Sequence, residues 1–347
     1  MEVRLSGGDD RNLMERLLEK QIPLANSCNG KGTCGKCKVK VVSGTITDVT
    51  DTERRLLTEK EVAGRMRLAC MTKARGEVVI ETGKVEEDHV FTTGGVEGHF
   101  KRDADKHGYG LAVDIGTTTV VATLVNMDDG TEGPTYAQIN PQKTYGLDVL
   151  TRITYETEYK EKAITQLQEA IVHGLNEAIK GICAEAGIDV TQIGEIDIAA
   201  NCTMLHMLAG VDARPIGRAP YKPAFTDGQK LKARDLGLVG ATDATVYLLP
   251  SVSAYIGADI VAGVYVCDLR HASGKTLFID IGTNGELVLE AGGKMYSCSC
   301  AAGPALEGMN ITSGMRAAKG AVEDVHIGPE GIRLDVIGGC LLYTSDA

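Results

Sequence analysis

The chain has 347 residues, 43% of them hydrophobic and 24% charged, with a formal net charge of -11, which gives room for two or three domains with their own cores. The negative balance argues against a phosphate-backbone partner, and the absence of Trp with only 4% aromatic residues removes the stacking platforms of single-strand binders. No apolar run is long enough to span a bilayer, and the opening Met1-Glu-Val-Arg-Leu-Ser has no apolar signal core; the expectation is a cytoplasmic protein with neither nucleic acid nor membrane as partner.

Residues 1–83 read as a small α+β domain. Met1–Leu5 leaves room for one strand. Asn12–Lys20 predicts a short amphipathic helix with Leu13, Leu17 and Met14 inward and Glu15, Arg16 and Glu19 outward. Strands are expected at Lys38–Val42, Met66–Ala69 and Glu77–Glu81, with a helix over Thr52–Ala63 capped by Asp51. The domain holds 15 Lys and Arg against 12 Asp and Glu, so it is +3 while the remainder is -14. Lys31, Lys36 and Lys38 form either a docking rim or a simply solvated face.

Within this domain Cys28, Cys34, Cys37 and Cys70 are spaced C-x5-C-x2-C-x32-C. A [2Fe–2S] cluster needs four thiolates, three from one wrapping loop and one from elsewhere, and Gly30, Gly32 and Gly35 let that loop turn its N–H groups toward sulfur. Zinc would favour paired C-x2-C knuckles, of which there is one; disulfides would need an oxidising compartment. The remaining cysteines, 183, 202, 267, 298, 300 and 340, read as buried free thiols, with Cys298-Ser-Cys300 a weaker ligand pair.

Residues 84–108 are charged, polar and glycine-containing, a linker. Beyond them Leu111-Ala-Val-Asp114-Ile-Gly116-Thr117-Thr118-Thr119 leads into a second strand, and the pattern returns as Leu277-Phe-Ile-Asp280-Ile-Gly282-Thr283-Asn284-Gly285-Glu286. The two Asp-Ile-Gly-Thr motifs are 166 residues apart, a domain's length, which predicts a duplicated fold. Between them lie a helix-rich stretch near Ala163–Ala186 and strands at Glu195–Ala199 and Val246–Leu249; Ile256–Val266 fits helix or buried strand. In each hairpin a carboxylate ends a strand before a glycine turn. Gly116 and Gly282 permit a phosphate nest, Thr117, Thr118, Thr283, Asn284 and Gly285 add donors, and Asp114 and Asp280 would face a magnesium ion through its waters. An ordinary tight turn is the plainer reading of either copy alone. Asp259 is a candidate metal- or water-positioning carboxylate or a helix cap, and His206, between Met204 and Met207, reads as a packed core histidine.

The paired hairpins resemble the first and second phosphate motifs of the actin-like ATPase superfamily (acetate and sugar kinases, Hsp70, actin). With an amino-terminal [2Fe–2S] domain and a linker, the chain resembles the ATP-dependent reductive activators of corrinoid proteins, up to about Gly339. Asn140-Pro-Gln-Lys-Thr-Tyr-Gly-Leu-Asp148, Asn201-Cys-Thr-Met-Leu-His206, Leu249-Pro-Ser-Val-Ser, Gly257-Ala-Asp259 and Ala301-Ala-Gly-Pro-Ala-Leu-Glu-Gly308 are similar to stretches of that family. The resemblance implies an α+β and α/β multidomain fold: a β-grasp ferredoxin domain over 1–83, a linker, a first actin-like (ribonuclease H-like) lobe over 109–272 with an inserted middle region, and the start of a second over 273–339. It implies cluster ligation by Cys28, Cys34, Cys37 and Cys70, and ATP with Mg²⁺ at the hairpins and the catalytic carboxylates Asp114, Asp259 and Asp280. It further implies ATP-coupled electron transfer that returns a corrinoid protein, or corrinoid methyltransferase, from Co(II) to Co(I), an upstream electron donor, and a homodimer as one assembly. Two departures stand out: family ferredoxin domains open with a full hairpin, and nothing after Gly320 resembles the superfamily's adenosine-binding motif. The ending 340–347 reads as truncation or foreign sequence, with the adenine half of the pocket missing. Two rivals stay open, an electron-carrying module on a non-hydrolysing actin-like scaffold and a small-molecule kinase with a regulatory cluster.

Overall fold

Alternation sets the first sheet. Val3 and Leu5, Val39 and Val41, and Val78 and Ile80 are all buried at every second position, the pattern of strands with one face on a core. They lie on β1 (Glu2–Leu5), β2 (Lys38–Ile46) and β4 (Ala74–Thr82), joined by β3 (Met66–Leu68). The antiparallel sheet runs β1-β4-β2-β3, and Leu13 and Leu17 of α1 (Leu13–Glu19) complete its core. A computed structural model describes residues 1–20, 22, 24, 30, 32, 35–82, 103, 105–241, 243–282, 284–300, 322–329 and 331–337. Cys28, Cys34, Lys31, Thr283, Ala301–Gly308, nearly all of the 84–108 linker, and the 340–347 tail lie outside them.

Asn12 caps α1: its side chain accepts from Glu15 N, and Glu15's carboxylate accepts from Asn12 N at 2.8 Å. Arg16, expected outward, is buried and ion-pairs with Asp9; its stem covers the core while its head reaches a carboxylate. The single helix expected over Thr52–Ala63 is two, α2 (Asp51–Leu56) and α3 (Glu59–Ala63), capped by Thr50 and Thr58 and not by Asp51. The reason is a repeated capping box, Thr50 with Glu53 and Thr58 with Glu61, which ends one helix at the extended Leu57 and starts the next.

The chain divides into two compact units, Met1–Glu87 with Pro141–Lys160, and Asp88–Asn140 with Glu161–Ala347. The second contribution to the first unit is a 3-10 turn, Pro141–Thr144, and α4 (Val149–Tyr159), N-capped by Asp148. Arg152, wholly enclosed, donates from Nε to Gly146 O at 2.9 Å and from Nη1 to Gln142 Oε1 at 3.2 Å. The rings of Tyr145, Tyr155 and Tyr159 pack in sequence, tilted by 36° and 38°, with centroids 5.0 and 4.7 Å apart.

The other unit is built on a six-stranded sheet of order β7-β6-β5-β8-β10-β9. Its strands are β5 (Tyr109–Ile115), β6 (Thr119–Asn126), β7 (Thr131–Ile139), β8 (Ile193–Ala200), β9 (Gln229–Lys232) and β10 (Thr245–Leu248). The β5–β6–β7 meander is antiparallel, β5, β8 and β10 are parallel, and β9 is an antiparallel edge. The crossover from β7 to β8 includes α5 (Glu161–Ala186), whose buried Leu167, Ile171, Leu175 and Ile179 keep helical spacing. After β8 comes α6 (Cys202–Ala209), closed by Gly210 at φ 67. A one-turn α7 (Ala233–Leu236) precedes β10. Ile256–Val266, open between helix and strand in sequence, forms α8 (Ala258–Val266).

The second hairpin is β11 (Thr276–Ile281) with β12 (Gly285–Ala291), extended by β13 (Lys294–Cys300) into an antiparallel three-stranded sheet. Ile256, Ile260, Leu269, Val288 and Phe278 form its small core. A separate ribbon pairs β14 (Val322–Gly328) with β15 (Gly331–Val336). The cysteines differ from expectation: Cys183 and Cys202 are buried, whereas Cys267, Cys298 and Cys300 are exposed. Cys298 and Cys300 sit two apart on one face of β13. Among the described residues no helix is long and apolar enough to cross a membrane.

Candidate functional site

Two places concentrate chemistry. In the first unit Cys37 and Cys70, 33 positions apart in sequence, are buried with their Sγ atoms 3.3 Å apart. That separation is far outside a disulfide bond of about 2.05 Å and suits two thiolates sharing one iron. Local hydrogen bonds fix Cys37 and the residues on either side of Cys70. Ala69 N donates to Cys37 O at 2.8 Å, while Leu13 N and Met14 N, at the start of α1, donate to Thr72 O and Ala69 O at 2.8 and 3.2 Å. Gly30, at φ +80, approaches so closely that a Cβ would lie 2.7 Å from Met14 Cε, so Gly30 lies against the helix that braces the Cys70 turn.

Behind that turn stands a buried ion pair. Glu53 accepts from Arg67 Nε and Nη2 at 2.9 and 2.8 Å, from Leu68 N at 3.0 Å and from Thr72 Oγ1 at 3.1 Å. Burial works to raise its carboxyl, but the Arg67 and backbone hydrogen bonds outweigh that and hold it at about 2. Neither Glu53 nor Arg67 stood out in the sequence; the signal that could have found Glu53 is the Thr50-x-x-Glu53 capping box, where the sequence reading set an Asp51 cap instead. The donor set fits an iron–sulfur group, with two buried thiols 3.3 Å apart in the core of the sheet and two further cysteines, 28 and 34, a few positions before Cys37 in sequence.

In the other unit the three expected carboxylates come together. Asp114 is on β5 at the mouth of the first hairpin, Asp280 near the end of β11, and Asp259 in the first turn of α8. A fourth, Glu286, was not singled out in the sequence and faces Asp280 directly across the second hairpin. Asp114 is reached by solvent on its open side yet surrounded by protein elsewhere. Burial, and then the negative charges of Asp259 and Asp280, push its carboxyl up to about 6. Asp259 is raised by burial and by Asp280, Asp280 by burial, and Glu286 by burial and by both aspartates. Burial raises all four, and neighbouring negative charge adds to it at Asp114, Asp259 and Glu286, the pattern of a cleft that favours a cation. An oxygen-only set of this kind suits a hard divalent ion such as Mg²⁺.

The turns beside these carboxylates are braced from two sides. Asn140 Nδ2 donates to Gly116 O at 2.8 Å and Asn140 N to Thr118 O at 2.8 Å. Asn201, the N-cap of α6, donates from Nδ2 to Thr117 Oγ1 at 3.0 Å while its Oδ1 accepts from Met204 N at 3.0 Å. Gly257 stands where backbone crowds backbone: a Cβ there would be 2.5 Å from Asn201 Cα and 2.9 Å from Ala200 O. In the second turn Gly282 N donates to Asn284 O at 2.9 Å. Asn140 and Asn201 each open a stretch that the sequence already marked, but nothing in the order of residues pointed them at the first hairpin.

Other expected residues take quieter roles. His206 is buried, stacked on Phe225 at 4.2 Å, its Nδ1 2.8 Å from Cys202 O and its Nε2 accepting from Ala224 N at 3.0 Å. Burial lowers its pKa, so it is a neutral core histidine. The Lys38 ammonium pairs with Glu61.

Three family descriptions match successive parts of the chain: "2Fe-2S iron-sulfur cluster binding domain" over 2–75, "RACo middle region" over 109–272, and "C-terminal domain of RACo the ASKHA domain" over 274–342. Corrinoid activation enzyme RamQ of Eubacterium limosum is 36% identical over 236 residues, 68% of this chain and 39% of that protein. The [Co(II) methylated amine-specific corrinoid protein] reductase of Methanosarcina barkeri is 26% identical over 232 residues, 64% of this chain and 41% of that one. The chain thus spans about two-fifths of the length of these curated relatives. A solved structure described as a reductive activator for corrinoid, iron-sulfur protein superposes with a TM-score of 0.63 at 28% identity, covering 96% of this chain and 68% of that one.

Proposed function

From the premise that this chain belongs to the RACo family, with a [2Fe–2S] ferredoxin-type domain, a middle region and an ASKHA region, we propose that it reductively activates a corrinoid protein. The reaction is one-electron reduction of the partner's cobalt from Co(II) to Co(I), the electron coming from an upstream cytoplasmic donor and the step being coupled to MgATP. Cys28, Cys34, Cys37 and Cys70 would hold the cluster, which supplies single electrons near about −400 mV.

The protein's own part is positioning. The Glu53–Arg67 pair and the α1 N-terminus fix the Cys70 turn, and the buried thiols exclude water from the sulfur side. Asp114, Asp259, Asp280 and Glu286 would hold the waters of Mg²⁺ while Gly116, Thr117, Thr118, Gly282, Thr283, Asn284 and Gly285 receive phosphate oxygens. Each 59 mV of uphill one-electron transfer costs about 1.4 kcal/mol, and closure around a nucleotide offsets such a cost where it changes the partner's cobalt environment.

The observation that carries this reading is the presence in one chain of a close pair of buried thiols from distant positions and a four-carboxylate cleft on twin phosphate-type hairpins. Cys37→Ala should give colourless protein unable to reduce a Co(II) corrinoid partner, followed by its absorbance change. Asp280→Asn should keep the colour and lose the ATP dependence. Cobalt reduction surviving Cys37→Ala would overturn the reading.

A further inference from the structure

We infer that Asn201 is a positioning residue for the phosphate site of the first hairpin, acting through the Thr117 hydroxyl, which it sets as a donor to the anion. The inference rests on the nucleotide reading given above and adds to it a residue that works one step behind the ligand. Every residue involved belongs to the unit of the six-stranded sheet.

The sheet itself brings the two side chains together. β5 and β8 are parallel neighbours with Ile115 opposite Ala200, so the chain leaves both strands at the same edge, where open α/β sheets take their ligands. Thr117 stands two residues beyond Ile115, and Asn201 one beyond Ala200. The Asn201 backbone is pinned. Its carbonyl accepts from Leu205 N at 3.1 Å, and Gly257 passes so near that a Cβ there would lie 2.5 Å from Asn201 Cα.

The side chain is oriented by its own helix. Oδ1 accepts from Met204 N at 3.0 Å as the N-cap of α6. A backbone N–H only donates, so the oxygen end of the amide is fixed on that side. Nδ2 is thereby turned to Thr117 Oγ1, at 3.0 Å. An amide NH2 offers no lone pair, so the Thr117 oxygen is the acceptor in this bond and its hydroxyl hydrogen is aimed away from Asn201. The same bond selects one χ1 position for a β-branched side chain. Helix capping does not by itself call for asparagine, since Ser, Thr or Asp caps comparably. Ser is too short to make the same bond to Thr117, and Asp would turn an oxygen to it and take the hydroxyl hydrogen. Only asparagine caps α6 and leaves Thr117 a donor.

A double-mutant cycle on MgATP affinity, measured by calorimetry on the full chain, tests this. Asn201→Ser keeps a cap, loses the bond to Thr117 and should weaken binding about fivefold, the size of one hydrogen bond. Thr117→Val removes the hydroxyl and should weaken binding about tenfold, as for a bond to a charged group. The double variant should bind no more weakly than Thr117→Val, because the group that Asn201 acts through is gone; independent effects would multiply to about fiftyfold. Asn201→Asp, which caps α6 and keeps the length, should lose at least as much as the serine variant. Unchanged hydrogen exchange in α6 and β8 shows that the variants are folded. Wild-type affinity in folded Asn201→Ser and Asn201→Asp, an unaffected Thr117→Val, or a double variant at the multiplied value overturns the inference and leaves the nucleotide reading standing. Absence of MgATP binding by the wild type overturns both.

Discussion

Glu53, wholly enclosed, and Asp114, in a cleft that solvent reaches, are both carboxylates crowded by protein, and they meet opposite fates. Glu53 is met by a guanidinium, a backbone N–H and a hydroxyl, and its carboxyl is held at about 2. Asp114 is met by other carboxylates and is pushed up to about 6. The ferredoxin-type unit balances its charge internally, whereas the hairpin cleft leaves a negative excess for a cation from solution. The difference separates a residue that holds the fold from one that holds a ligand, even though the residue types alone do not.

The sharpest way to break the contrast is to remove one partner of the pair. Arg67→Met leaves Glu53 buried without its counter-charge, and should cost about 3–5 kcal/mol in urea unfolding, the usual effect of orphaning a buried charge; adding Glu53→Leu should recover much of that loss. Next in size, Gly257→Ala forces a Cβ against Asn201 and Ala200 and should lower stability by about 1–3 kcal/mol, as overpacking does, with weaker MgATP binding by calorimetry.

The cleft should respond to pH in the opposite sense to an ion pair. Because the folded-state value of Asp114 lies above its ordinary carboxylate value, the folded chain binds more protons between about pH 4 and 6, so this group's contribution to stability falls as pH rises through that window. Thermal melting without metal should show that slope, Asp114→Asn should flatten it, and Mg²⁺ should bind more weakly as pH drops through about 6. Glu53 acts below this window: its stabilising effect is lost only as pH falls from about 4.5 toward 2. The smallest effect is expected at Cys298, exposed on β13. Cys298→Ser should leave iron content unchanged and stability within about 0.5 kcal/mol, and a loss of iron would revive the Cys298–Cys300 ligand pair.

Much of this was legible in the sequence because periodicity and glycine turns act locally. The two hairpins, α1, β8 and β10 follow from alternation and capping near at hand. What escaped was set by distance along the chain. Glu286 becomes the fourth carboxylate only when β11 and β12 pair, and Asn140 reaches Gly116 only after the meander folds back. Thr50 and Thr58 displaced Asp51 as caps because two boxes in tandem outcompete one longer helix. Arg16 turned inward because the Asp9 carboxylate was waiting there.

The stretch Pro141–Lys160 keeps company with Met1–Glu87 although more than fifty residues separate them in sequence. Joining residues 1–87 alone to another carrier parts them from a segment they cluster with, and a parallel graft that also carries 141–160 shows by its melting temperature how much that segment adds.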